Sequence, residues 1–290
     1  MNAVTAAPAS RPGRPDPSTL DGESRYYYAA LGEGRYQPTL HAQGAWNDWE
    51  QHMAPASGLL VHALEQHEVR ADMQLARITF EILGVIPAAE VRIECRTVRP
   101  GRTIELVEAT MLAPTVTSDG AYADKPVVRA TAWRLIQQDT TEVAGGFQPG
   151  LPAPDQAEPW DSTTIWGGGF IRSLDFRSVE GGVPGRGKAW VGTDLGLVDG
   201  EESSEVARFL GLVDTANGIA VRQHPGEWMF PNVDLTVHLF RRPRFGWLGL
   251  DTQVTFGETG LGLTSSDLYD EDGPVGRVEQ ILTVRPFPRG

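Results

Sequence analysis

The pattern of apolar and polar residues predicts two β-rich stretches, each built around one helix. In the first stretch, Ala54 to Glu65 places Leu59, Leu60 and Leu64 on one face, which is typical of a helix. Strands are predicted around it at 74–83, 90–98, 103–111 and 126–137. A helix of this apolarity needs a sheet to cover it, so the pattern predicts an α+β fold.

The second stretch carries the more informative helix, predicted over Glu201 to Gly218, with Ser203 or Ser204 as N-cap. Its buried stripe comprises Val206, Phe209, Leu210 and Val213. Asp214 lies beside that stripe, among the small residues Ala207, Gly211 and Gly218. A carboxylate at the edge of an apolar face is either partnered or functional, although an Asp that simply reaches water is the plain alternative. Extended segments are predicted at 170–179, 188–197, 233–240, 247–256, 261–268 and 274–284.

The two stretches repeat one another, which indicates a duplicated domain of about 145 residues per copy. Four motifs recur in order: Ala45-Trp46 with Ala189-Trp190, Gly58-Leu59-Leu60 with Gly211-Leu212-Val213, Ile78-Thr79-Phe80 with Leu235-Thr236-Val237, and Pro126 to Arg129 with Pro274 to Arg277. We therefore predict a disordered tail over 1–25, an N-terminal domain over 26–142, a Gly- and Pro-rich linker over 143–159, and a C-terminal domain over 160–290.

Charge and cysteine content limit the function. Lys and Arg number 25 against 38 Asp and Glu, a net charge of −13, which argues against nucleic acid or an anionic membrane as the main partner. The single cysteine, Cys95, excludes an internal disulfide and fits a reducing cytoplasm. No apolar run approaches the ~20 residues of a membrane helix. We expect a cytoplasmic protein.

The order strand, helix, antiparallel strands is that of the hotdog fold, and two copies make a tandem double hotdog. The segments LVDTANG, NVDLTVHLFRRP and GRVEQILTV resemble the acyl-CoA thioesterase II family. The segments RITFEILGVIP and VRPGRTIELVEATM are similar to the N-terminal hotdog of that family. The resemblance implies hydrolysis of acyl-CoA to free acid and CoA, in lipid metabolism, without a metal or other cofactor.

The resemblance also implies a set of catalytic residues: an Asp on the hotdog helix with a Thr or Ser and a Gln on strands, here Asp214, Thr236 and Gln280. Gln280 alternates with apolar residues and is expected to point inward, where its amide needs partners. Thr236 is a weaker candidate, because Thr is common in strands. Gln280 and Thr236 would orient a water whose proton Asp214 accepts, and the backbone near Gly211 would stabilise the oxyanion. Direct attack by Asp214 stays open.

The first copy lacks this set, since Val61 and Ala132 stand at the positions of Asp214 and Gln280. We therefore expect one active site per chain. Three arginines at the end of a predicted strand are candidates for binding CoA phosphates, although a solvated strand edge whose charge prevents pairing is the slightly favoured alternative. They are Arg241, Arg242 and Arg244.

Two rival functions remain. A hotdog hydratase acting on enoyl-CoA would use an Asp with a His five residues later, and Ile219 occupies that position. A non-catalytic acyl- or lipid-binding protein would keep the same polar residues without turnover. The sequence leaves open the acyl chain, the choice of CoA or carrier-protein thioester, and homo-oligomer formation.

Overall fold

Fourteen strands form one continuous sheet in the computed structural model, which describes residues 14–116, 122–179 and 181–287. The strands in the described part are β1 (Tyr26–Gly32), β2 (Arg35–Pro38), β3 (Met73–Ile82), β4 (Val91–Arg99), β5 (Ile104–Val116), β6 (Tyr122–Ile136), β7 (Glu158–Pro159), β8 (Asp175–Ser178), β9 (Arg186–Gly192), β10 (Gly196–Asp199), β11 (Trp228–Met229), β12 (Asp234–Leu239), β13 (Leu248–Phe256), β14 (Leu261–Asp270), β15 (Gly273–Thr283) and β16 (Arg285–Pro286). Their order in the sheet is β10-β1-β2-β4-β5-β6-β3-β12-β15-β14-β13-β9-β8-β7, and β11 pairs separately with β16.

Short helices pack on this sheet. The α-helices of the described chain are α1 (Met53–Gln66), α2 (Gly169–Arg172), α3 (Glu205–Leu210) and α4 (Ala216–Ile219). Turns of 3₁₀ helix cover Pro17–Thr19, Leu40–Ala42, Thr141–Val143, Pro154–Gln156, Ser162–Thr164 and Val213–Thr215. The predicted α+β arrangement, with a helix against an antiparallel sheet in each half, is confirmed. The strand predicted over 170–179 is shorter than expected, because its first residues form α2 and only β8 is extended.

The two halves join where β3 pairs antiparallel with β12. Thr79 lies opposite Thr236 in this register, and Phe80 lies opposite Leu235. Thr79 and Thr236 are also the positions that the internal repeat matches. Equivalent residues thus face each other across the junction, as they do when two copies of a domain pair edge to edge through an approximate two-fold axis.

Helices α1 and α3 cross at two glycines, one from each half. A Cβ on Gly58 would lie 2.8 Å from both the Ala207 carbonyl oxygen and the Gly211 Cα. Only glycine permits this approach of two helix backbones. The crossing brings the start of α1 close to the chain that follows α3.

The helix predicted over Glu201 to Gly218 is not continuous, which corrects the expectation. Ser204 caps α3 as predicted, accepting the Ala207 N–H at 3.0 Å, but α3 ends at Leu210 and a 3₁₀ turn follows. The Leu210 carbonyl accepts a hydrogen bond from Ser57 Oγ at 2.8 Å. In a continuous helix that carbonyl would accept the N–H of Asp214. The contact with α1 therefore favours the break that sets Asp214 on its own turn.

Ordered structure begins before Tyr26, where a disordered tail was expected. Leu20 is buried, and the Leu40 N–H donates to the Asp21 carbonyl at 2.9 Å. The Arg14 guanidinium lies 4.2 Å from the centre of the Trp49 ring. Residues 1–13 of the expected tail lie outside the described residues. No helix in the described ranges is long and apolar enough to cross a membrane.

Candidate active site

Asp214 lies at a cavity of about 380 Å³ between the two halves and is only 6% exposed. Its Oδ1 accepts hydrogen bonds from two amides, Gln280 Nε2 at 2.7 Å and Asn232 Nδ2 at 2.8 Å. Its other oxygen, Oδ2, lies 3.6 Å from His52 Nδ1. The carboxylate is thus fixed through one oxygen, and the second is left for a ligand in the cavity.

Burial raises the pKa of Asp214 to about 7, against the opposing effect of the two amide hydrogen bonds. Desolvation dominates because the partners of the carboxylate among the described residues are uncharged. A carboxylate with such a pKa exchanges a proton near neutral pH, which suits a general base.

Gln280 points inward from β15, as the alternation of the strand predicted, and is fully buried. The structure therefore brings two of the sequence-predicted residues, Asp214 and Gln280, into direct contact. Gln280 lies behind the carboxylate rather than in the cavity wall. Its Oε1 has no hydrogen-bond partner among the described residues, so the bond donated to Asp214 is what holds its amide. It orients the carboxylate and does not touch the cavity.

Asn232 is the first residue that sequence reasoning missed. It precedes β12, lines the cavity, and holds its amide in place by donating also to the Asp234 carbonyl at 3.1 Å. In sequence it stands at the start of the segment NVDLTVHLFRRP, directly before the predicted strand, a position that does not by itself indicate a site residue.

His52 is the second missed residue and comes from the other half. It is the N-cap of α1: its Nδ1 accepts the Ala54 N–H at 3.0 Å. The imidazole packs on Phe170, with ring centroids 4.5 Å apart. Burial lowers the pKa of His52 to about 3, so the ring is neutral and its approach to Asp214 is not an ion pair. Nothing local in the sequence indicated this contact.

Thr236 does not join the site, contrary to the expectation. Its hydroxyl donates to Thr79 Oγ1 at 3.3 Å at the junction of the two halves. Its side chain lies on the sheet face opposite that of the buried Leu235 and Val237, and it does not line the cavity. The alternation along β12 correctly predicted which face carries Thr236. The candidate site lies on the opposite face of the sheet.

Gly211 is not placed as an oxyanion donor either. Its N–H donates to the Ala207 carbonyl at 3.0 Å, within the last turn of α3. The Cα atom of Gly211 lies against Gly58 at the helix crossing. Gly211 therefore has a packing role, and its backbone donor is already occupied.

The three arginines proposed for CoA phosphates follow the end of β12, whereas Asn232 precedes its start. Each faces a carboxylate. Arg241 makes two bonds to Asp270, Arg242 lies 3.9 Å from Glu65, and Arg244 lies 3.1 Å from Asp272. The structure therefore favours the alternative, a charged strand edge.

The cavity wall is mainly aromatic and aliphatic. Trp46 and Trp166 line it and pack edge-on, with ring centroids 5.1 Å apart, and Phe230 supports Trp46 from outside the lining at 5.5 Å. Other apolar residues that line it are Met53, Ile82, Leu83, Val85, Ile86, Trp160, Ile171, Phe176, Ile219 and Val233. Such a lining suits an apolar group whose reactive end reaches Asp214.

Comparison with known protein families matches both halves of the chain. Residues 42–135 match the acyl-CoA thioesterase N-terminal domain, and residues 150–284 match the acyl-CoA thioesterase C-terminal domain. The chain belongs to the acyl-CoA thioesterase family. A comparison with curated proteins gives no match.

Several solved structures share the fold of this acyl-CoA thioesterase family member and align with most of its chain. A hot dog fold protein of Alicyclobacillus acidocaldarius is 16% identical, with a TM-score of 0.66, over 90% of this chain and 96% of that one. The acyl-CoA thioesterase II TesB2 of Mycobacterium marinum is 15% identical, with a TM-score of 0.60, over 92% and 97%. The tesB protein of Mycobacterium avium subsp. paratuberculosis is 18% identical, with a TM-score of 0.59, over 89% and 96%. These likenesses confirm the predicted double hotdog.

The first half of this family member has no polar set equivalent to that around Asp214 at the matching described positions. Val61 and Ala132, which the internal repeat matches to Asp214 and Gln280, are both fully buried in the apolar core. The polar cluster described above therefore has no duplicate at those positions.

Proposed function

We propose that this protein hydrolyses acyl-CoA thioesters to the free acid and CoA, with Asp214 as the general base. The observation that carries the proposal is the Asp214 carboxylate, held through Oδ1 by Asn232 and Gln280 at an apolar cavity. The family match supports the choice of acyl-CoA as substrate. We infer a cytoplasmic place in lipid metabolism and one active site per chain.

The proposed reaction uses neither a metal nor a covalent enzyme intermediate. A water bound at Asp214 Oδ2 attacks the thioester carbonyl carbon as its proton passes to the carboxylate. The tetrahedral intermediate collapses, the carbon–sulfur bond breaks, and the thiolate takes the proton from Asp214. Asn232 and Gln280 keep Oδ2 directed at the water throughout. Direct attack by Asp214 would instead give an anhydride, and water that opens this anhydride at the Asp214 carbon would leave ¹⁸O from labelled water in the carboxylate after one turnover.

A second candidate, hydration of an enoyl thioester, gains one observation from the structure. His52 supplies beside Asp214 the imidazole that position 219 lacks. Hydration, however, needs a group that takes a proton from water and returns one to the α-carbon, and an imidazole does this through a free ring lone pair. The Nδ1 lone pair already accepts the Ala54 N–H, so the neutral ring carries its proton on Nε2. The tautomer favours hydrolysis.

A panel of acyl-CoAs assayed for free thiol tests the proposal. We expect thiol release by the wild-type protein and a loss of about 10²–10⁴-fold in kcat for Asp214→Asn. Thr236→Val is the matched control and should keep wild-type kcat, because its hydroxyl bonds Thr79 away from the cavity. Loss of enoyl-CoA absorbance without thiol release would show the hydratase. Saturable acyl-CoA binding without any turnover would show the binding protein.

A further inference from the structure

Hydrolysis of a thioester places a negative charge on the carbonyl oxygen, and hydrogen-bond donors must meet it. The start of α1 lies at the cavity, and the backbone N–H groups of a first helical turn are usual donors. Here they are few. The Ala54 N–H is bonded to His52, and Pro55 has no N–H. Met53 N–H, at the first helical position, has no intrahelical partner, and no hydrogen bond from it is found among the described residues.

The His52 side chain, which occupies the Ala54 N–H, also carries a hydrogen-bond donor of its own. Because Nδ1 of His52 accepts a hydrogen bond, the proton of the neutral imidazole is on Nε2. Within the described part of the chain Nε2 makes no hydrogen bond. It is not sealed from solvent, and the residue lines the cavity. The ring is held by Phe170 on one side and by the helix start on the other.

We propose that His52 Nε2–H, together with Met53 N–H, binds the carbonyl oxygen of the thioester and stabilises the oxyanion that forms there. His52 is then a catalytic residue supplied by the N-terminal half, acting opposite Asp214 of the C-terminal half. The inference rests on the proposed thioester hydrolysis and names a group that completes it.

His52 exchanges no proton in this step. Water adds to the carbonyl carbon, its proton goes to Asp214, and the π electrons of the carbonyl move to the oxygen, which accepts hydrogen bonds from Nε2–H and Met53 N–H. When the carbon–sulfur bond breaks, the carbonyl reforms and both hydrogen bonds weaken. A neutral imidazole suits this role. An imidazolium would instead form an ion pair with Asp214 and lower the pKa of its carboxyl, so Asp214 would be a weaker base.

Two substitutions distinguish the role of His52 as a hydrogen-bond donor from its role as the N-cap of α1. His52→Asn keeps an acceptor at the position of Nδ1, and with it the N-cap, but has no donor at Nε2. His52→Gln places an N–H close to the position of Nε2 but loses the cap. We expect kcat for acyl-CoA hydrolysis to fall about 10²–10³-fold in His52→Asn with little change in melting temperature. We expect His52→Gln to keep most of kcat while its melting temperature falls. His67→Asn, which changes a histidine away from the cavity, is the control for activity and should keep wild-type kcat.

The reverse pattern, with an active Asn variant and an inactive Gln variant, would assign His52 to the helix cap alone and overturn the inference. So would equal losses of activity and stability in both variants. A readout independent of activity is the ¹⁵N NMR spectrum of histidine-labelled protein between pH 6 and 8. It should show His52 as the neutral Nε2–H tautomer, and an Nδ1–H tautomer or an imidazolium would contradict the assignment. Absence of thiol release by the wild type would instead refute the proposed function and leave the tautomer result standing.

Discussion

Asp214 combines deep burial with a charge that no cation offsets in the described part of the chain. Among the described residues only the His52 ring lies within ion-pair distance of the carboxylate, and that ring is neutral. The groups that contact Oδ1 are uncharged amides. The ionised form is therefore stabilised by hydrogen bonds alone, and its desolvation opposes folding.

This balance predicts how stability depends on pH. Asp214 has a pKa of about 7 in the folded protein and its ordinary value of 3.8 when unfolded. Between these values the folded state holds a proton that the unfolded state has lost, so the free energy of unfolding decreases as pH rises from about 4 to about 7. Asp214→Asn removes this dependence and should be more stable than the wild type at pH 8. Urea unfolding at pH 5 and pH 8 measures the difference, and a variant less stable at both would show that the carboxylate itself holds the turn.

Gln280 should set the pH dependence of the proposed hydrolysis. Its amide donates to the charged form of Asp214 and so lowers the pKa of that carboxyl. Gln280→Leu removes the donor together with the unpartnered Oε1. We expect the midpoint of the kcat–pH profile to move to higher pH and limiting kcat to fall, by about 10²-fold at pH 7. An unchanged midpoint would exclude a contribution of Gln280 to the basicity of Asp214.

At the level of secondary structure, the position of Asp214 depends on how α3 meets α1. The Cβ of an alanine at position 58 would lie 2.8 Å from backbone atoms of Ala207 and Gly211, which cannot move independently. Gly58→Ala should lower the free energy of unfolding by about 1–3 kcal/mol. It should also reduce kcat, because the helices must separate and carry the Asp214 turn with them.

Gly145→Ala is a suitable control for this substitution. Nothing lies within 4 Å of the added Cβ, and the backbone conformation there suits any residue. Thermal unfolding and kcat of the two variants, measured side by side, test the argument. Equal behaviour would show that the crossing tolerates a wider spacing.

Local pattern was sufficient to find α1 and the longer strands β3 to β6 and β12 to β15, because periodicity acts within a few positions. It also identified Asp214 and Gln280, each a polar residue beside an apolar face. It could not identify His52 or Asn232. An N-cap and a residue before a strand look ordinary in sequence, and their role arises only when the two halves pack. The break between α3 and α4 has the same origin, since the hydroxyl of Ser57 lies in the other half.

At the scale of the whole molecule, the two halves share one sheet. β3 pairs with β12, and β1 of the first half pairs in parallel with β10 of the second. A fragment covering residues 14–143 would expose the edge of β3 with its unpaired backbone groups. We expect this fragment to self-associate or aggregate, and co-expression with residues 144–290 to restore a soluble complex. Size-exclusion chromatography checks both, and a stable monomeric fragment would contradict the dependence.

Because His52 and Asp214 come from different halves, the site is complete only when the two halves have packed together. Its residues are far apart in sequence, and contacts of this kind are completed late in folding. After dilution from denaturant, the circular dichroism of the strands within each half should recover before the proposed acyl-CoA hydrolysis does. The delay between the two signals would measure how long the two halves take to assemble.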